Sequence, residues 1–152
     1  MNDALINRLM RAPSGLASRI QIARLRILGA QIGPCCRIVL LEVPKNPWDI
    51  ELAKGVALDR NVTLLAIGPR RESPRIQVGS NTYVNRNTMF DASLSIKVGK
   101  DVMIGPNCYI TDHNHGTNPG VSVGTQELIE AEVCIEDNVW LGAGVIVLKG
   151  VT

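Results

Sequence analysis

Apolar residues recur at every sixth position along the second half of the chain. Stepping by six from Val78 gives Val84 and Phe90; from Val98, Ile104 and Ile110; from Ile135, Leu141 and Val147. Three residues after each stand Asn81, Asn87, Ser93, Asp101, Asn107, His113, Asn138, Gly144 and Gly150. Apart from Ser93, these are residue types that tolerate the left-handed backbone region. A third slot, directly after the apolar one, holds Gly79, Gly99, Gly105 and Gly142. Such a six-residue unit is a short strand plus a sharp corner. Three units close a triangular coil of about 18 residues, and each coil stacks on the last at the ~4.8 Å strand spacing. The apolar slot points into the prism and the second slot turns the chain. An α-helix would repeat near 3.6 residues, and a flat alternating strand needs no turn residue in every sixth place. The pattern therefore predicts an all-β fold, a parallel β-helix.

Toward the N-terminus the pattern loosens. Ile32, Ile38, Ile50, Val56 and Val62 keep the spacing, with Pro44 interrupting, but their corner residues Cys35, Leu41, Ala53 and Leu65 suit a corner poorly. Two irregular coils are expected there. Residues 68–77, GPRRESPRIQ, read as a loop or bulged corner. Before the coils, Leu5, Ile6, Leu9, Met10, Leu16, Ile20 and Ile27 lie at roughly helical spacing, and Pro13 and Gly15 split them into two expected pieces. The division is thus a helical N-terminal cap, 1–29, followed by a β-helix domain, 30–152, with a long loop at 116–134.

Composition narrows the classes. Hydrophobic residues make up 45% of the 152 and aromatics only 3%, which suits a narrow core of Ile, Val and Leu and argues against disorder. A net charge of +2 gives no footprint for nucleic acid. The charge is uneven, with Arg8, Arg11, Arg19, Arg24 and Arg26 facing Asp3 alone before residue 30. A solvated basic face on the cap is the plain reading of these arginines; peripheral contact with a membrane surface is the alternative. Cys35, Cys36, Cys108 and Cys134 form no C-x-x-C pair, which fits reduced thiols in a cytoplasmic protein. No apolar run has transmembrane length, and the N-terminus lacks the apolar stretch of a signal peptide.

The hexads VGSNTY, IGPNCY, IEDNVW and LGAGVI resemble the hexapeptide-repeat transferases, in particular the maltose and galactoside O-acetyltransferases and the polysaccharide and lipopolysaccharide O-acetyltransferases. The resemblance covers residues 78–152 and, weakly, 30–67. Its more specific part is D-H-N-H-G at 112–116, a long loop, then N-V-W-L-G-A-G-V from Asn138. It implies a left-handed β-helix, a homotrimer with sites in the clefts between prisms, acetyl-CoA as acyl donor, a sugar or glycan acceptor, and no metal. By position it implies His113 as catalytic base, Asn85 and Asp91 as acceptor-binding residues with His115 as an assistant, and Trp140, Gly142 and Ala143 beside the cofactor. Asp91 is the looser match, its spacing being shorter by one.

The residue chemistry agrees. A sugar hydroxyl needs a base while it attacks a thioester, and a histidine, with a reference pKa of about 6.5, is mostly neutral at pH 7. Backbone N–H groups at the corner near Gly142 and Ala143 can stabilise the resulting oxyanion. The alternative for His113 is a turn residue filling a corner slot, and for His115 a solvated loop residue. Asp112 either orients an imidazole or forms a local turn. Trp140 reads as a packing anchor beside the cofactor cleft. Two histidines are too few for a three-histidine metal site. Cys108 shares its slot with Thr82, Thr88 and Val102 and reads as a packed small residue. Relatives continue past the position of Thr152 with further hexads and a basic tail that holds coenzyme A. Two functional expectations follow: an acetyltransferase with weakened cofactor affinity, or an inactive β-helix that serves as a binding or assembly module.

Overall fold

A computed structural model of the chain describes residues 3–152, with the side chains of 4–14 outside that description. Leu5, Ile6, Leu9 and Met10 of the expected helical stripe therefore lie outside the described side chains. Among the described residues there are sixteen short strands, and fourteen of them build a left-handed parallel β-helix. Its first face stacks β1 (Gln31–Ile32), β3 (Ile50–Leu52), β6 (Ile76–Val78), β9 (Ile96–Val98) and β14 (Val133–Ile135). The second stacks β2 (Arg37–Ile38), β4 (Ala57–Leu58), β7 (Tyr83–Val84), β10 (Met103–Ile104) and β15 (Trp140–Leu141). The third stacks β5 (Thr63–Ala66), β8 (Met89–Ala92), β11 (Tyr109–Thr111) and β16 (Ile146–Val147). All these pairings are parallel; only β12 (His113–His115) and β13 (Leu128–Glu130) pair antiparallel, as an arm outside the prism.

The apolar slot fills the prism. Val84, Phe90 and Ile110 are fully buried, and only Leu141 on the last coil is half-exposed. Corner residues divide by edge. Asn81, Asp101 and Asn138, between the first and second faces, have φ of 57–59°, as do Asn87 and Asn107 between the second and third. Their side chains ladder up the edges: Asn61 Nδ2 donates to Asn87 Oδ1 at 3.3 Å, and Asn87 Nδ2 to Asn107 Oδ1 at 3.1 Å. Glycine follows the apolar slot because the next coil comes too close. A Cβ on Gly79 would lie 2.4 Å from the carbonyl carbon of Gly99.

The N-terminal coils differ from expectation. The inward partners of Val78, Val84 and Phe90 are Leu52, Leu58 and Leu64, not Ile50, Val56 and Val62. Alternate strand residues face inward, so both sets are buried, and the apolar pattern alone cannot distinguish a register two residues away. In the true register the corners are Gly55 (φ 76°) and Asn61 (φ 57°), well suited to a turn, so the second coil is regular. The register places successive coils 20, 26, 20 and 37 residues apart, as Ile32, Leu52, Val78, Val98 and Ile135. Every excess over 18 falls at the edge between the third and first faces. There the chain makes the segment before Ile50, the loop 67–75, the turn 93–95 and the arm 112–132. Ile76 and Gln77, expected in the second of these loops, belong to β6.

Helix α1 (Asp3–Ile27) is one continuous element rather than two pieces. Pro13 forfeits one donor, at about 3 kcal/mol, without preventing the turns on either side. Gly29, at φ 101°, ends it, with Ala30 N–H donating to Leu25 C=O. Ser18 and Leu25 are buried against the first coil. Ser18 Oγ accepts from Ile38 N–H at 2.9 Å, the Gln21 amide bonds both N–H and C=O of Leu41, and Arg26 donates to the carbonyls of Ile32 and Gly33. These are backbone groups at the open edge of the first coil, so α1 lies across the end of the prism. Among the described residues, no helix is long and apolar enough to cross a membrane.

Ile104 is 1% exposed. Ile104→Asp is expected to lower the unfolding free energy by about 3–5 kcal/mol, measured by urea denaturation; an unchanged midpoint would place the side chain outside the core.

Candidate active site

The edge that carries the insertions also carries a continuous polar chain. Asp112 is fully buried, and its carboxylate accepts three backbone N–H groups from the turn below: Ser93 at 2.9 Å, Leu94 at 2.8 Å and Ser95 at 2.6 Å. The same carboxylate meets His113 Nδ1 at 2.9 Å. His113 is 9% exposed, and Thr111 Oγ1 stands 3.4 Å from its Nδ1. A carboxylate at Nδ1 favours the tautomer protonated there, leaving Nε2 with the free lone pair. His113 is not a corner residue. It opens β12, where the chain leaves the coil to pair with β13, and its backbone φ is not positive; Ser93, one coil below, also lacks the left-handed conformation.

The turn 93–95 is gripped from the other side by arginines. Arg75 Nε donates to Ser93 C=O at 2.8 Å and Arg71 Nη1 to Leu94 C=O at 2.6 Å. Arg75, 2% exposed, also pairs with the fully buried Asp49 at 2.5 Å. Asp49, Arg75, the 93–95 turn, Asp112 and His113 thus form one linked column. Asp112 both shapes a turn and orients the imidazole, two roles that sequence reading set against each other. Arg75 and Asp49 escaped that reading altogether. The signal was present: they precede the paired residues Ile50 and Ile76, so two opposite charges occupy one position in adjacent coils.

Asp91 lies on the outer side of the third face, in register with Thr111. Tyr109 donates its hydroxyl to Asp91 Oδ2 at 2.8 Å, while Asp91 Oδ1 is buried without a partner among the described residues. Burial, and after it the hydrogen bond to Asp91, raises the Tyr109 pKa above the ordinary tyrosine value. His115 is exposed on the arm. Glu130, opposite His113 in the arm, accepts from Ser93 Oγ.

The remaining predicted residues stand at or beside another edge, between the second and third faces. Asn85 is there, its Oδ1 accepting from Arg86 N–H at 2.8 Å. One coil earlier Asp59 caps Arg60 N–H in the same way, at 2.8 Å. At the equivalent place in the last coil stands Gly142, which has no side chain to do this. The Ala143 N–H has no partner among the described residues, and Ala143 is exposed. Trp140 is 78% exposed on the outer side of the second face, so it is not a packing anchor within the chain. The structure therefore brings His113, Asp112 and Thr111 together, with Asp91 on the adjoining face, and sets Asn85, Trp140, Gly142 and Ala143 apart from them. Among the described residues no group of three or more His, Cys, Asp or Glu could hold a metal ion. Cys108 is buried, its Sγ donating to the carbonyls of Gly105 and Gly142.

Comparison with known proteins gives the family. The chain is 33% identical over 145 residues to WbbJ of Escherichia coli K12, named as a lipopolysaccharide biosynthesis O-acetyl transferase, covering 90% of this chain and 72% of that protein. The chain belongs to the hexapeptide-repeat acetyltransferase family. It is also 43% identical over 77 residues to a galactoside O-acetyltransferase of Lactococcus lactis, which covers 50% of this chain but only 36% of that protein. The chain thus spans about a third of the length of that curated relative. No family model matches. Among solved structures, AntD, an N-acyltransferase from Bacillus cereus in complex with dTDP and 3-hydroxybutyryl-CoA, superposes with a TM-score of 0.68 over 84% of this chain and 68% of that one, at 16% identity, a likeness of fold. For this member of the family, the hexad corners at two edges are structural and the third edge carries the insertions.

Removing one partner of a buried ion pair strands the other charge. Arg75→Met is expected to cost about 3–5 kcal/mol by chemical denaturation, and Asp49→Leu added to it to restore much of the loss. Additive losses would show that the pair is not coupled.

Proposed function

We propose that the chain transfers the acetyl group of acetyl-CoA to a hydroxyl of a sugar or glycan precursor, with His113 as general base. The observation that carries this reading is the Asp112–His113 pair: a buried carboxylate, fixed by three N–H groups, holds the imidazole by Nδ1. Nε2 takes the proton of the acceptor hydroxyl as its oxygen bonds to the thioester carbonyl carbon. The oxyanion collapses, the C–S bond breaks, and the imidazolium returns the proton to the departing thiolate. No covalent enzyme intermediate is needed. The unpartnered Ala143 N–H is suited to the pantetheine arm or the developing oxyanion, and Trp140 and Gly142 flank it. Asp91 and Asn85, with His115, are the acceptor-binding candidates. The names of the relatives, galactoside and lipopolysaccharide O-acetyltransferases, support a carbohydrate acceptor.

The separation of these groups onto two edges supports a homotrimer. In a threefold assembly about an axis parallel to the prisms, the Ala143 edge of one chain faces the His113 edge of the next. Cofactor and base then meet in the cleft between copies. Dependence on acetyl-CoA supports a cytoplasmic location.

His113→Ala is expected to lower kcat by roughly 10²–10⁴-fold, and His115→Ala by less than about tenfold. The assay follows coenzyme A release from acetyl-CoA over a panel of sugars and glycans. Reversal of the two effects would move the base to His115. No release with any acceptor would favour the alternative of a β-helix binding module.

A further inference from the structure

The side of α1 that faces away from the prism is not simply a solvated basic surface. Leu16, Ile20, Ala23 and Ile27, at i, i+4, i+7 and i+11, form one narrow stripe. Leu16 is 64%, Ile20 63% and Ile27 85% exposed, so three large aliphatic side chains stand in water on one line. Arg19 and Arg26 flank the stripe on one side and Arg24 on the other, all exposed. Ser18, Gln21 and Leu25 occupy the opposite side of the helix and close the first coil. The apolar stripe therefore points away from the prism along its axis, off the three sheet faces through which prisms would pack side by side.

We propose that this face docks on an anionic lipid bilayer. The stripe would enter the boundary between headgroups and acyl chains, while the guanidiniums of Arg19 and Arg24, not engaged as Arg26 is with the first coil, reach lipid phosphates. Charge complementarity selects this occupant: residues 1–30 hold five arginines and one acidic residue, and anionic lipid attracts each cation near the surface. In the parallel assembly described above, copies would present their stripes in one plane, so that weak single contacts add. The geometry also bears on the acceptor, a step that rests on the acetyltransferase reading. His113 follows the fourth coil, three ~4.8 Å steps above the first, and α1 adds a thickness of about 10 Å. The base then stands roughly 25 Å from the outer side of α1, and about 15–20 Å above the lipid surface that this side enters, a height that favours an acceptor extended from the lipid as an oligosaccharide.

Co-sedimentation of the full chain with vesicles tests docking without any need for activity. Binding is expected to mixed phosphatidylcholine–phosphatidylglycerol vesicles, weakening as salt rises, and not to phosphatidylcholine alone. Leu16→Gln with Ile20→Gln and Ile27→Gln should weaken it at least about tenfold. Arg19→Glu with Arg24→Glu should weaken it at least roughly fivefold per arginine. Unchanged melting of both exposed-site variants confirms that they fold, and a variant that melts early is replaced by single substitutions along the same stripe. Equal binding to both vesicle types, no binding to either, or a change in oligomer mass in the triple variant by light scattering would each overturn the proposal, the last by making the stripe a contact between copies. Coenzyme A release with free glycans is measured in parallel. Absence of release with free glycans and with lipid-linked oligosaccharide alike would count against the acetyltransferase reading and leave the docking result standing.

Discussion

Each strand in this molecule is only two to four residues long, and none could hold its shape alone. What fixes them is the hand-over of backbone hydrogen bonds from one coil to the next, as in Tyr83 N–H to Val102 C=O and Met103 N–H to Val139 C=O. This requirement explains the rest. Corners must repeat closely enough to keep strands in register, so they draw on Asn, Asp and Gly. The residue after the inward slot is often glycine because the next coil leaves no room for a Cβ. Where the stack begins, Ser18, Gln21 and Arg26 bond backbone groups that have no coil beneath them. A helix here substitutes for a missing coil.

The regular coils were legible because their signal is redundant. Val78 to Val147 carry the inward slot, and Asn81 to Gly150 independently carry the corner slot. In the second coil the apolar signal is ambiguous: Ile50, Val56 and Val62 are as apolar as Leu52, Leu58 and Leu64, and only the corners Gly55 and Asn61 distinguish the registers. Family resemblance points to His113 as a base, and spacing assigns it to a corner. Spacing fails there because a long excursion abolishes the need for a corner. The column from Asp49 through Arg75 to Asp112 was not legible, since its members are dispersed along the chain and meet only through coils of unequal length.

The three edges of the prism do different work. Two are laced by short polar side chains, and any added residue would break the ladder of asparagines. The third absorbs every insertion, and its polar chemistry replaces the ladder with a buried ion pair and a carboxylate that gathers three N–H groups. A rigid frame and a chemically adaptable margin thus coexist within one repeat. The proposed cofactor and base groups occupy an edge of each kind.

The helix across the first coil has a consequence for how the chain acquires its shape. Each coil contacts mainly the one before it, so structure can propagate along the stack as in other solenoids. During synthesis α1 and the first coil emerge together and can seal the starting edge before later coils exist. Every subsequent coil then condenses on a template already in register, and the entropy of closing a loop is confined to one turn of chain at a time. The longest closure, between Val98 and Ile135, comes last. The turn and arginines that hold Asp112 all precede the arm in the chain, so the frame around His113 does not wait on how the arm settles.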